Sequence, residues 1–349
     1  MAYTTIDKPS DYFNTILYTG DGTSSRSITG VGFQPDWVWF KKRSTTGSHN
    51  LADSVRGTTK VLLSNQTLAE ITDATTLTSF DSDGFSIGTG WNASSTTMVT
   101  WNWLAGGTAS SNTDGSITSS VSANTTAGFS IVSYTGNGSA GATVGHGLGA
   151  TPAMFLIKRR DVADGWIVYH HKNTSAPETD HLRLDNTSAT SDDNTKFNDT
   201  APTSSVFSLG SDTSVNGSSS TFIVYCFAEK KGYSKFGSYI GNGSSDGSFI
   251  FTGFKPAWVL LKATSIGTEH WWIYDNKRSE SNVTDDGIVA SLSNAEFSNN
   301  ATFKIDLLSN GFKLRNSDGS HNGSGTSYIY MAFAENPFVT SSGVPACAR

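Results

Sequence analysis

One motif recurs three times along the chain and sets the scale of anything it can fold into. Tyr18-Thr19-Gly20-Asp21-Gly22 leads into Gly32-Phe33-Gln34-Pro35-Asp36-Trp37-Val38-Trp39-Phe40-Lys41-Lys42. Tyr134-Thr135-Gly136-Asn137-Gly138 leads into Gly149-Ala150-Thr151-Pro152-Ala153-Met154-Phe155-Leu156-Ile157-Lys158-Arg159. Tyr239-Ile240-Gly241-Asn242-Gly243 leads into Gly253-Phe254-Lys255-Pro256-Ala257-Trp258-Val259-Leu260-Leu261-Lys262. A period of roughly 105 to 115 residues is far longer than a solenoid repeat, so each copy reads as a folded domain with its own core. The divisions are an N-terminal segment 1–12, repeats over 13–109, 116–231 and 233–339, and a tail over 340–349. The expectation is beads of one design, which suits a binding or building part better than an enzyme.

Charged residues make up only 15% of the chain and Gly numbers 35, a composition suited to short strands joined by turns. No stretch keeps an apolar 3.6 period over several turns, so long helices are not expected. The fold class read from the sequence is all-β: three tandem antiparallel β-sandwiches, jelly-roll-like or immunoglobulin-like. A net charge of -6 supplies no basic stripe to neutralise phosphates, which argues against nucleic acid as a partner. No run of 18 apolar residues is present, and the N-terminus lacks the basic-then-apolar form of a secretory signal, so the expectation is synthesis in a cytoplasm without membrane insertion. Cys226 lies in an apolar run and Cys347 near the end, a placement that reads as a core residue and an unpaired thiol, not a disulfide.

Each copy passes through four stations. The first is a Gly-rich hairpin rising into a Pro-led strand that is apolar at every position and so expected to be covered on both faces. The second is Gly165-Trp166-Ile167-Val168-Tyr169-His170 in copy two and His270-Trp271-Trp272-Ile273-Tyr274-Asp275 in copy three; copy one reads Ser48-His49-Asn50-Leu51-Ala52-Asp53, without tryptophan. The third is a strand ending in a polar turn, at Val61-Leu62-Leu63, His181-Leu182-Arg183 and Ile288-Val289-Ala290. The fourth reads as a closing hairpin. Its first arm is Gly84-Phe85-Ser86-Ile87, Val206-Phe207-Ser208-Leu209 or Gly311-Phe312-Lys313-Leu314. Its second arm sets Val99, Trp101 and Trp103 against Ile223, Tyr225 and Phe227, and against Ile329, Met331 and Phe333, all on one face. The smaller residues on the other face suggest a strand with a single core side. The linker over 105–115 reads as flexible and that over 229–233 as tight.

Neither a nucleophile elbow, a zincin helix nor a phosphate-binding Gly-Lys loop is present, so no catalytic residues are assigned. His170 and His171, with His181 beyond, make the best histidine group, but neighbours on a strand point to opposite faces and read as a solvated edge instead of a metal site. Asp81-Ser82-Asp83-Gly84, Asp192-Asp193-Asn194, Asp285-Asp286-Gly287 and Asn316-Ser317-Asp318-Gly319 carry hard oxygen ligands of the kind Ca²⁺ takes, although turn chemistry ranks ahead and no cofactor is expected. The candidate contacts to a partner or a glycan are Trp91, Trp166, His170, Trp271, Trp272 and Tyr274, with core packing as the ordinary alternative for any one of them. Trp271 and Trp272 cannot both point inward from one regular strand, so one is expected to meet solvent, a neighbouring domain or a partner.

The repeated words, with Asp53-Ser54-Val55-Arg56-Gly57, Trp101-Asn102-Trp103-Leu104-Ala105-Gly106-Gly107, Val144-Gly145-His146-Gly147-Leu148 and Phe333-Ala334-Glu335-Asn336-Pro337-Phe338, resemble a repeat family of virion proteins in tailed, notably marine, bacteriophages. The resemblance covers nearly the whole chain and implies a non-enzymatic virion structural protein, located in the virion and assembled in the host cytoplasm. The first expectation is a tail fibre, spike or adhesin component. A capsid decoration protein and a polysaccharide-binding or depolymerising tail protein rank after it. Other virion proteins, a homo-oligomer with a trimer favoured, and a host surface glycan are the partners implied. Copy two departs from the family words at Ala150-Thr151-Pro152-Ala153-Met154.

Overall fold

The computed structural model describes residues 3–345; Cys347 lies outside them. The chain is nearly all β, as the composition suggests, and every repeat builds a larger and a smaller antiparallel sheet. In repeat one the larger sheet runs Phe13–Thr19, Thr97–Trp103, Trp37–Lys42, Asn50–Asp53 in spatial order, and the smaller runs Arg26–Thr29, Gly84–Ile87, Leu77–Asp81. Repeat three repeats this with Ser234–Ile240, Ser327–Pro337, Phe254–Ala263, Trp272–Asp275 and Ile288–Val289 against Phe249–Phe251, Gly311–Leu314 and Ile305–Leu308. In repeat two the central strands are Phe129–Thr135, Thr221–Phe227, Met154–Arg159 and Trp166–His170, and the smaller sheet is Ala142–Gly145 with Val206–Leu209.

The registers align the repeats residue by residue. Trp37 pairs with Trp103, Met154 with Phe227 and Trp258 with Phe333, so these positions are equivalent. Along each Pro-led strand successive side chains go to opposite faces. Val38 and Phe40 enter a core closed by the smaller sheet of repeat one, as do Phe155 and Ile157 in repeat two, and Val259 and Leu261 in repeat three. Trp37, Trp39, Met154, Leu156, Trp258 and Leu260 point the other way, into one cluster shared by all three repeats. Pro256 departs from the expected first position of its strand and sits within Phe254–Ala263, where the pairing slips at a bulge.

The sheet order, this shared cluster and the bonding of the first linker change four expectations. The copies are not beads, because the face each would expose alone is buried against the other two. The arms of the fourth station are not a hairpin: Gly84–Ile87 lies in the smaller sheet and Thr97–Trp103 in the larger, joined by a crossover through the short 3-10 turn Thr89–Trp91. The large residues Trp101, Tyr225 and Met331 face the shared cluster, while Val224, Cys226, Tyr330 and Ala332 fill the private cores. Both faces are therefore core, and the heavier one belongs to the contact between repeats. The linker after repeat one is ordered. Ala105 donates its N–H to Asp36 at 2.8 Å, Gly106 donates to Ser122 at 3.0 Å, and Ser110–Asn112 joins the larger sheet of repeat two.

The repeated Tyr-x-Gly words have a partner the sequence reading missed. Tyr18, Tyr134 and Tyr239 donate their hydroxyls to the carbonyls of Trp91, Val215 and His321 at 2.8, 2.5 and 2.8 Å. The next residue in each case is a buried asparagine, Asn92, Asn216 or Asn322, whose amide oxygen accepts the N–H of Asp21, Asn137 or Asn242 in the Gly-rich loop. A buried amide that fills its own donors and acceptors this way fixes the loop to the crossover.

Candidate functional site at the repeat junctions

The side chains with the richest chemistry converge where one repeat meets the next, and they do so cyclically. Trp166 of repeat two donates its indole N–H to the Leu63 carbonyl of repeat one at 2.8 Å. Trp271 of repeat three donates to the Arg183 carbonyl of repeat two at 2.8 Å. At the remaining junction His49 of repeat one stands 3.0 Å from the Val289 carbonyl of repeat three. Its Nδ1 accepts the indole N–H of Trp39 at 2.9 Å, which leaves the proton on Nε2 to donate across the junction. The tryptophan missing from copy one is thus replaced by a histidine making the same tether, and three equivalent bonds close the repeats into a ring.

A second set runs parallel to the first. Lys41, Lys158 and Lys262 are the next-to-last residues of the central strands and are fully buried. Each ammonium bonds a carbonyl of its own repeat and one of the preceding repeat: Lys41 reaches Lys42 and Ser293, Lys158 reaches Asp164 and Thr67, and Lys262 reaches Glu269 and Thr187. Burial pulls all three pKa values down to about 8. They remain charged at neutral pH, held by carbonyl dipoles and by the more distant carboxylates of Glu296, of Asp164 and Asp185, and of Glu269, which work against the burial.

The third set breaks the symmetry. At the junction of repeats one and two, Arg56 bonds Asp53, the Leu51 carbonyl, Glu70 and the Tyr225 hydroxyl, while Tyr225 donates to Asp53 at 2.8 Å and Arg160 bonds Glu70 at 2.9 Å. At the junction of three and one, Arg278 bonds Asp275, the Ile273 carbonyl and Glu296; the Trp101 indole donates to Asp275 at 2.9 Å and Arg43 bonds Glu296 at 2.8 Å. Burial works against the charge on both guanidiniums, yet the carboxylates around them keep their pKa values raised. At the junction of two and three the corresponding residues are His170, Asn173, Thr190, Thr264 and Met331, and there is no ion pair among them. His170 accepts the Lys172 N–H on Nδ1 and donates Nε2–H to the Tyr330 carbonyl at 3.2 Å. The Asn173 amide nitrogen has no hydrogen-bond partner among the described residues, and Met331, standing where Tyr225 and Trp101 stand at the other junctions, brings neither a hydroxyl nor an indole N–H.

The sequence candidates fall inside this framework. Trp91, Trp166, Trp271 and Tyr274 are at most 1% exposed, and Trp272 is 5% exposed. Trp91 ends the 3-10 turn Thr89–Trp91 and stacks on Phe40 with ring centroids 4.6 Å apart. Trp272 packs on Phe303 at 4.4 Å within repeat three, and Tyr274 bonds His321 at 2.7 Å. Trp271 and Trp272 do take opposite faces, and the neighbour that Trp271 meets is repeat two. None of the six candidates faces solvent. His170 and His171 are not a solvated edge either: both donate to carbonyls of repeat three, His171 to Phe236 at 2.9 Å. The acidic turns use their carboxylates internally; Asp83 accepts Gly30 and Gly32 N–H groups, Asp193 caps the Asn194–Phe197 helix and Asp318 accepts from Ser320. Among the described residues no cluster of three or more His, Cys, Asp or Glu is placed to hold a metal ion.

Burial pushes the pKa of His170 and of His321 down to about 3 and that of His49 well below the usual range. A histidine with a depressed folded pKa leaves the folded state binding fewer protons than the unfolded state. Stability is therefore complete above about pH 6.5, the unfolded value, and is lost as pH falls toward 3, by up to about 1.4 kcal/mol per unit for each group. Urea midpoints at pH 7.5, 5.5 and 4.5 should decline in that order. A midpoint flat between pH 7.5 and 4.5 would contradict the neutral buried rings.

The larger sheet of repeat two and that of repeat three border an open cleft lined by Pro152, His171, Lys172, Glu229, Lys235 and Phe236. Lys172 and Glu229 on it are exposed, and His171 and Tyr330 line it from the junction of the two repeats. No curated protein and no solved structure matches the chain. One family model runs across all three repeats as a unit, matching residues 8–337: the chain belongs to the DUF7483 family, a domain of unknown function.

Proposed function

We propose that the protein is a non-enzymatic structural part of a tailed-bacteriophage virion, a tail fibre, spike or adhesin component. The observation that carries this reading is the ring of equivalent tethers: His49, Trp166 and Trp271, with Lys41, Lys158 and Lys262, are all spent on holding repeat to repeat. A part built this way keeps its shape under load and leaves recognition to its surface. The sequence words shared with virion repeat proteins supply the setting. In that setting the chain assembles with other virion proteins or with copies of itself, and a host surface glycan is its candidate target.

Labelling the chain in intact particles with a specific antibody and imaging them tests the reading. Signal on the tail is the expected result. Signal spread over the shell would replace it with a capsid decoration role, and absence from purified particles would overturn it. Incubation of the purified protein with host surface glycan should leave the glycan chain length unchanged.

A further inference from the structure

The three repeats treat one strand edge in three different ways. In each smaller sheet the outermost strand alternates between residues bonded to the neighbouring strand and residues whose backbone groups point away from it. The outward positions are Ser27 and Thr29 in repeat one, Thr143 and Gly145 in repeat two, and Phe249 and Phe251 in repeat three, flanking the inward residues Ile28, Val144 and Ile250. In repeat three the bonds from Leu314 N–H to the Ser248 carbonyl and from Thr252 N–H to the Asn310 carbonyl fix this alternation.

Repeat two shows what the edge accepts. Residues 116–119 lie along Ala142–Gly145 in a parallel bridge between Ile117 and Val144. Ile117 donates its N–H to the Thr143 carbonyl at 2.9 Å, Ser116 accepts the Thr143 N–H on its hydroxyl at 2.9 Å, and Ser119 donates to the Gly145 carbonyl at 2.9 Å. In repeat one the edge is a four-residue strand that carries the charged Arg26 beside Ser27 and Thr29, and short, charged edges resist recruiting another strand. Repeat three does the opposite. Phe249 is 45% exposed and Phe251 56% exposed, where the sister repeats have Ser, Thr or Gly. The Phe249 ring lies over Gly311, close enough that a Cβ there would sit 2.9 Å from it.

We infer that the edge strand Phe249–Phe251 is a docking site for an extended segment of a partner polypeptide. The segment adds as a parallel strand in the manner of residues 116–119, carrying a small hydroxyl residue followed by a β-branched apolar one. Main-chain hydrogen bonds to Phe249 and Phe251 hold it, and the two rings cover its side chains.

The test uses the full chain and, as probe, a synthetic peptide copying residues 114–121, titrated while backbone amide NMR shifts are followed. Saturable shifts at residues 249–251 are expected. Affinity should fall by about tenfold or more with the same peptide carrying Ile117→Pro, which lacks the bridging N–H, and with protein carrying Phe249→Thr and Phe251→Gly, the residues of repeat two. The proline peptide leaves the protein untouched, so it decides the matter even if the double variant is impaired. No saturable binding, shifts confined to 143–145, or equal binding by the proline peptide would overturn the proposal. Self-association of the free protein that the double variant abolishes would also overturn it, assigning the edge to a second copy.

Discussion

Arg278→Met is expected to lower the unfolding free energy by about 3–5 kcal/mol, the usual cost of removing one partner from a buried ion pair. The side chains of Arg278 and Asp275 are fully buried and that of Glu296 is 5% exposed, so the two carboxylates would be left without their counter-ion inside the protein. Arg43 would still reach Glu296, but Asp275 would keep only the Trp101 indole and nearby backbone donors. Arg56→Met should behave alike, since Asp53 and Glu70 depend on it in the same way. The third junction serves as an internal control: Asn173→Ala removes an amide whose nitrogen has no partner among the described residues and whose oxygen accepts the half-buried Thr190 hydroxyl at 2.7 Å, and should cost about 1 kcal/mol. Urea unfolding of the three variants measures this, and an Arg278→Met midpoint equal to that of Asn173→Ala would refute the assignment of the strong tethers.

Trp258→Ala is expected to cost about 3–5 kcal/mol as well, by a different route. The ring sits in the shared cluster, with centroids 5.7 Å from Trp103 and 6.2 Å from Phe13 of repeat one, and 6.0 Å from Phe333 of its own repeat. Its indole N–H has no partner among the described residues, so the loss would be packing alone, without a forfeited hydrogen bond. Close-packed walls drawn from two repeats can collapse only partly into such a void. Phe249→Thr, on the exposed edge, should change stability by no more than about 0.5 kcal/mol. Comparable losses from the two substitutions would mean that the shared cluster is not the centre of the fold.

The sequence made the strands legible because period-2 patterning is a local signal. Trp37-Val38-Trp39-Phe40 announces a strand buried on both faces, and Trp271-Trp272 announces one ring on each side. What the second face touches is not local. Burial against another repeat and burial within one repeat leave the same alternation, so Trp101, Tyr225 and Met331 read as the inside of a sandwich when they lie between repeats. The tethers were obscured for a related reason. His49 and Trp166 are different residue types that supply the same N–H donor, and only the three-dimensional junction shows them to be equivalent. One signal was available: Asp53 and Arg56 recur three residues apart as Asp275 and Arg278, while repeat two has His170 and Asn173. That recurrence marks the two ionic junctions, but Glu70 and Glu296 join them from sequence positions with no fixed spacing.

The central claim is that the three repeats are one folding unit closed around a common core. Differential scanning calorimetry of the full chain at neutral pH tests it most directly. The account predicts a single transition whose calorimetric and van't Hoff enthalpies agree. Two or three separable transitions, each of a size suited to about 100 residues, would contradict it and restore the picture of independent domains on a string.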